Sequence, residues 1–167
     1  MAITRSGWTA PSALGTQSVK VVKLGEASVV TDRYIAVDAA VVGEFGNKTA
    51  TGGSYTIAAN TDTARGIQLF FVNTATASAK CQVLEIDDDT IFEGQMKNIN
   101  YQNAIGARCN VTMSSNVVYL QQNTGGLLEV VDVPADVYPF EANGTQANGL
   151  VWFKVIPAAI EAIPAAR

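Results

Sequence analysis

The chain has 167 residues, of which 48% are hydrophobic and 16% charged, and its formal net charge is −4. This length and composition are typical of one globular domain and exclude an intrinsically disordered protein. Lys and Arg stand singly along the sequence, whereas phosphate binding needs a dense basic face, so we expect no nucleic-acid partner. We find no apolar segment of signal-peptide type and no 18-residue apolar stretch, so we expect neither export nor a membrane partner.

The first 17 residues are rich in Ser, Thr, Ala and Gly, and they carry only isolated apolar side chains. Such a composition does not form a core element by itself. We predict an extended N-terminal arm over residues 1–17 that docks onto a partner through Trp8, Pro11 and Leu14. The alternative is an arm that folds back on its own domain.

From residue 18 onward, short apolar runs alternate with turn-forming clusters of Gly, Asn, Asp and Thr. In chain order the runs are SVKVVKLG, RYIAVDAAVVGEFG, GSYTIAA, IQLFFVNTA, AKCQVLEI, TIFEGQM, RCNVTM, NVVYLQQ, GLLEVVDV and GLVWFKVI. About nine or ten strands with frequent turns are typical of an antiparallel sandwich or barrel. The predicted fold is all-β, an antiparallel β-sandwich or barrel with an extended N-terminal arm and little helix.

The expected domain organisation is a single β domain over residues 18–157, with a candidate sub-boundary near 75–80 in the segment NTATASAK. A C-terminal tail follows over residues 158–167. Prolines at 157 and 164 limit the segment PAAIEAIPAAR to a helical turn or two. No repeat of 20 to 50 residues is evident.

The chain contains no histidine, and nucleophilic catalysis by Ser or Cys usually needs a neighbouring histidine base. No phosphate-binding glycine motif occurs either. Cys81 and Cys109 do not form a C-x-x-C pair, so a zinc site is not expected; they are interpreted as small buried hydrophobes, with a disulfide as the alternative. We therefore predict no enzyme, no catalytic residue, no metal site and no cofactor.

Three consecutive aspartates, Asp87, Asp88 and Asp89, stand between two apolar runs. Consecutive residues of a strand point to alternating faces, and the spacing does not match a calcium-binding loop. Asp is favoured in turns because its side chain bonds nearby backbone N–H groups. A turn or bulge is the preferred interpretation, and cation binding and catalysis are the alternatives.

Aromatic residues cluster in the second half of the chain. Trp152 and Phe153 are adjacent on one predicted strand, so one should face the core and the other the opposite surface. Tyr and Trp are enriched among interface anchors. Tyr101, Tyr138 and Trp152 are therefore candidate interface aromatics.

The strand patterns of residues 80–157 resemble those of small structural proteins from tailed bacteriophage heads. The matching segments are Ile86 to Gln95, with its acidic start and aromatic strand, Ile105 to Met113, Leu127 to Pro134 with its VDVP exit, and Val151 to Ile156 with its closing WFKVI. The similarity covers about half of the chain and consists of strand patterns rather than chemical signatures.

The resemblance implies a capsid decoration, or cement, protein. We expect such a protein on the outer surface of the virion, assembled in the host cytoplasm, with the major capsid protein as its partner and a homo-oligomer, preferably a trimer, as its state. It would stabilise the head by bridging neighbouring capsid subunits. The alternative function is a phage fibre or carbohydrate-binding β module.

Overall fold

A computed structural model describes residues 19–48, 53–56, 66–99, 103–114, 117–133 and 146–161. These residues form eleven strands and one short helix, which confirms the predicted all-β fold. Five strands close into a barrel: β2 (Val29–Ala36), β3 (Phe45–Lys48), β4 (Gly53–Thr56), β5 (Leu69–Phe71) and β6 (Lys80–Glu85). The other six strands form a second sheet: β1 (Lys20–Lys23), β7 (Ile91–Ile99), β8 (Arg108–Ser114), β9 (Val117–Gln122), β10 (Leu128–Asp132) and β11 (Gln146–Val155).

The barrel has the strand order β2–β4–β3–β5–β6, and the second sheet has the order β1–β7–β11–β10–β8–β9. A parallel bridge between Met96 and Leu120 also joins β9 back to β7. Two of the described pairings, β2–β4 and β7–β9, are parallel, and the others are antiparallel. The antiparallel architecture predicted from the sequence thus includes two parallel contacts, which depend on pairings between strands that are not adjacent in the chain.

The chain passes from the barrel to the second sheet at residues 86–90, between β6 and β7. The stretch 75–80, where the sequence suggested a sub-boundary, lies within the barrel before and at the start of β6. Strand β1 precedes the barrel in sequence but pairs with β7 of the second sheet. The crossing at 24–28 and the crossing at 86–90 therefore link the same two sheets.

A shared aromatic core joins the barrel to the second sheet. Phe92 of β7 lies 5.1 Å from Phe45, 5.0 Å from Phe70 and 5.6 Å from Phe153, measured between ring centroids. All four rings are buried. A separate cluster that includes Tyr34, Leu69, Phe71 and Val83 fills the barrel. Alternate residues of β5 therefore face different cores, and both faces of this strand are buried. In β6, Val83 faces the barrel cluster and Leu84 the shared core, whereas Lys80 and Gln82 are exposed.

The helix α1 (Pro157–Glu161) follows β11 and returns the chain to the barrel. The Ala159 carbonyl accepts hydrogen bonds from the Ile67 backbone N–H at 3.0 Å and from Gln68 Nε2 at 3.2 Å. The short helix agrees with the one or two turns that the flanking prolines allow. No helix among the described residues is both long and apolar enough to cross a membrane.

Candidate functional site

Five of the six side chains predicted as partner contacts lie outside the described residues. These are the arm residues Trp8, Pro11 and Leu14 and the aromatics Tyr101 and Tyr138. Their assignment as partner contacts therefore stays a prediction.

Trp152 of β11 is half-buried, whereas its neighbour Phe153 is fully buried, which confirms that the two side chains face opposite sides of the sheet. The Trp152 indole Nε1 donates a hydrogen bond to Glu93 Oε2 at 2.9 Å. Glu93 Oε1 lies 3.3 Å from Lys20 Nζ of β1. The indole is thus fixed on the outer face beside the edge strand, and its role in an interface stays a prediction.

Asp87 forms a turn that ties the two crossings together. Its Oδ2 accepts the Ala27 backbone N–H at 2.8 Å, and its Oδ1 accepts the Asp89 N–H at 3.2 Å and the Thr90 hydroxyl at 2.7 Å. Thr90 Oγ1 in turn accepts the Gly25 N–H at 3.2 Å. The prediction of a turn at the three aspartates is confirmed. The contact with residues 25–27, some 60 positions away, was not visible in the sequence.

The protonation state of Asp87 follows from these contacts. Partial burial acts to raise the pKa of Asp87, but the hydrogen bonds from the Thr90 hydroxyl and from the Ala27, Asp89 and Thr90 backbone outweigh it. The pKa therefore lies below its ordinary value. A carboxylate held ionised by these donors suits a structural role, because a general acid needs a raised pKa.

A second carboxylate, Glu85, ends β6 next to this turn. It accepts hydrogen bonds from the Tyr34 hydroxyl and the Arg33 guanidinium, and Lys48 Nζ lies 3.8 Å away. Burial acts to raise the pKa of Glu85, while Tyr34, Arg33 and Lys48 together lower it below the ordinary value. The charge of Glu85 is thus balanced by side chains of the same barrel. Within the described ranges, no group of three or more His, Cys, Asp or Glu side chains is arranged to hold a metal ion.

The two cysteines are buried and are not joined by a disulfide; Cys81 lies in the barrel and Cys109 in the second sheet. Burial raises the pKa of the Cys109 thiol to about 12. A reactive thiolate needs a lowered pKa and solvent access. The interpretation of both residues as small buried hydrophobes is confirmed.

An exposed aliphatic surface lies where β1 meets the barrel. The groove in this surface has a volume of about 480 Å³ and is lined by Val21, Val22, Leu24, Val30, Val72 and Leu84. We call this surface the aliphatic groove. Four nearby side chains are exposed despite their apolar character: Leu24 at 57%, Val29 at 54%, Val30 at 49% and Val22 at 40%.

Single exposed apolar residues are normal on protein surfaces, but a contiguous exposed apolar patch marks a surface that binds another molecule. The groove was not predictable from the sequence, because the valines in SVKVVKLG are equally typical of a strand that faces a core. Among the described strands, β1 is paired with β7, and its residues Val21 and Val22 line the groove together with Val30 and Leu84 of the barrel.

Comparisons with models of known protein families, with characterised proteins and with solved structures found no match for this chain. The resemblance to phage head proteins therefore stays a prediction.

Proposed function

We propose that this chain is a capsid decoration protein that binds the outer surface of an assembled phage head and bridges neighbouring capsid subunits. The observation that carries the proposal is the aliphatic groove, an exposed apolar surface built on a rigid β scaffold. Its lining consists of aliphatic side chains, a chemistry that suits contact with another protein better than contact with a sugar or a nucleotide. The strand patterns of residues 80–157 supply the choice of partner.

The groove is held in its shape before binding. Leu24 follows β1 directly, and the next residues are anchored by the Gly25 N–H on Thr90 and the Ala27 N–H on Asp87. Pre-organisation of this kind lowers the entropy lost on binding. The groove is thus ready to accept a partner surface without local folding.

The proposed mechanism is additive binding, with no catalytic step and no cofactor. A ligand that binds only one state stabilises that state by mass action, so a protein that contacts two neighbouring capsid subunits stabilises the assembled shell. The arm residues Trp8, Pro11 and Leu14 would add contact area, and a homo-trimer would place three grooves around one axis. Both features belong to the proposal.

The test is co-sedimentation of the full chain with empty, expanded heads assembled from the major capsid protein encoded beside its gene. The variant Leu24→Asp places a charge in the groove and should reduce the bound fraction about tenfold, because the interface would bury an unpaired carboxylate. The matched control is Ile105→Asp, since Ile105 is 62% exposed and lies outside the groove. It should bind like the unaltered chain.

Deletion of residues 1–17 tests the arm separately and should weaken binding. Equal binding by the Leu24→Asp and Ile105→Asp variants would show that the groove is not the contact surface. A full-length chain that ignored expanded heads but bound glycans on an array would instead support the fibre or carbohydrate-binding function.

A further inference from the structure

The second sheet repeats the ring of pairings that forms the barrel. The barrel ring is β2–β4–β3–β5–β6, closed by β6 on β2, and the corresponding ring is β7–β9–β8–β10–β11, closed by β11 on β7. The pairings β2–β4 and β7–β9 are parallel, and the other four pairings in each ring are antiparallel. Residues 29–85 and 91–155 therefore share one topology.

The register of the pairings aligns β2 with β7. Ala36 and Met96 are both paired with the parallel strand of their ring. Phe92 stands four positions before Met96. Thr31 stands five positions before Ala36, but one of these five is the extra residue of the bulge between Thr31 and Tyr34, so Thr31 aligns with Phe92. The antiparallel pairings give the same alignment. In the barrel, Thr31 of β2 pairs with Val83 of β6, which pairs with Phe71 of β5. In the second sheet, Phe92 of β7 pairs with Phe153 of β11, which pairs with Val130 of β10.

The two rings differ at one edge. In the second sheet, β1 covers β7 on the side of β9, with Lys20 opposite Glu93, Val21 opposite Phe92 and Lys23 opposite Ile91. The corresponding barrel residues are Val30, Thr31 and Asp32 of β2. Among the residues that the structure describes, no strand pairs with these three on the side of β4.

We propose that the edge of β2 at Val30–Asp32 is a strand-addition site, which binds an extended segment of a partner protein antiparallel to β2. The chemistry of the expected segment follows from β1. A basic residue should face Asp32, because Asp32 corresponds to Glu93, whose Oε1 lies 3.3 Å from Lys20 Nζ. An aliphatic residue should face Thr31, because Thr31 corresponds to Phe92 and β1 places Val21 opposite Phe92.

Strand addition gains its affinity from main-chain hydrogen bonds and its specificity from alternate side chains. An unpaired edge presents backbone donors and acceptors that favour such pairing. Val30 also lines the aliphatic groove, so an added strand would border that surface. The inference rests on the repeated topology and stands independently of the proposed head-binding function.

The test uses the synthetic peptide SVKVVKLG, residues 18–25 of this chain, which contains the strand that the second ring already holds. The peptide is titrated into the isotope-labelled full-length protein, and backbone amide shifts are followed by NMR. We expect saturable shifts centred on residues 29–33. Shifts centred instead on residues 91–93, as from exchange with the resident β1, or the absence of any saturable shift, would overturn the proposal.

A charge exchange distinguishes strand addition from nonspecific association. The exposed Asp32→Lys variant should bind the peptide about fivefold more weakly, since opposite charges across a strand pair attract and like charges repel. The peptide SVEVVKLG has glutamate in place of its first lysine, which corresponds to Lys20. It should restore the affinity of the Asp32→Lys variant and bind the unaltered protein more weakly. Equal affinities in all four combinations would refute the predicted register.

Discussion

Replacing Asp87 by alanine should destabilise the protein far more than the same change at Asp88. The Asp87 carboxylate accepts three hydrogen bonds, from Ala27, Asp89 and Thr90. A hydrogen bond contributes about 1 kcal/mol net, and more when one partner is charged. Because Asp87 is only partly buried, we expect a total loss of about 2–3 kcal/mol. Asp88 is exposed and has no hydrogen bond to its side chain among the described residues, so Asp88→Ala should cost less than about 0.5 kcal/mol.

The measurement is the free energy of unfolding in urea, followed by tryptophan fluorescence. The lowered pKa of Asp87 gives the pH dependence. A carboxyl group whose pKa is lower in the folded state stabilises above its unfolded pKa, and this contribution is lost as the pH falls through the folded value. The difference between Asp87→Ala and the unaltered protein should therefore shrink below about pH 4. Equal losses of unfolding free energy for the Asp87 and Asp88 variants at neutral pH would show that the Asp87 hydrogen bonds do not stabilise the fold.

Three further stability predictions follow from the core and its turns. Gly126→Ala should cost more than about 2 kcal/mol, because an added Cβ would lie 2.2 Å from the Cys109 carbonyl oxygen; Gly125→Ala, with its nearest contact at 3.5 Å, is the matched control and should be nearly neutral in the same urea titration. Phe92→Ala removes the ring that contacts three others and should lower the free energy of unfolding by about 3–5 kcal/mol. The variant should still unfold in a single calorimetric transition because both sheets share that core, and two separate transitions would contradict the shared core. Burial, together with the negative charge of Asp38, raises the pKa of Glu44 despite the hydrogen bond from the Val41 N–H. The unaltered protein should therefore lose stability relative to Glu44→Gln as the pH rises from 4 to 7. A difference in the free energy of unfolding that does not change with pH would show that Glu44 ionises freely.

The strands themselves were predictable from the sequence because their signals are local. Alternation in GLVWFKVI correctly predicted opposite faces for Trp152 and Phe153, and the flanking prolines limited α1 to a short helix. The segment IQLFFVNTA shows the limit of such patterns. Leu69 and Phe71 face the barrel interior, as their spacing predicts, but Phe70 is equally buried because its face meets the second sheet.

The pairing of the strands and the candidate surface were not predictable in this way. One sequence does not reveal that β1 leaves the barrel to pair with β7, because that contact joins residues some 70 positions apart. The same limit hid the Asp87 bond to Ala27 and the repeated ring, whose two copies match in topology rather than in residue pattern. The aliphatic groove depends on the pairing of β1 with β7 and on the position of β1 beside barrel residues. Its valines could therefore not be distinguished from core residues before the fold was known.

The most direct test of the proposed function is the heat-disruption temperature of empty, expanded heads, measured by calorimetry with and without a saturating amount of the chain. A protein that bridges subunits of the assembled shell should raise this temperature, and the Leu24→Asp variant should raise it less at the same concentration. An unchanged disruption temperature at saturation, or equally tight binding to unassembled capsid subunits, would contradict the account.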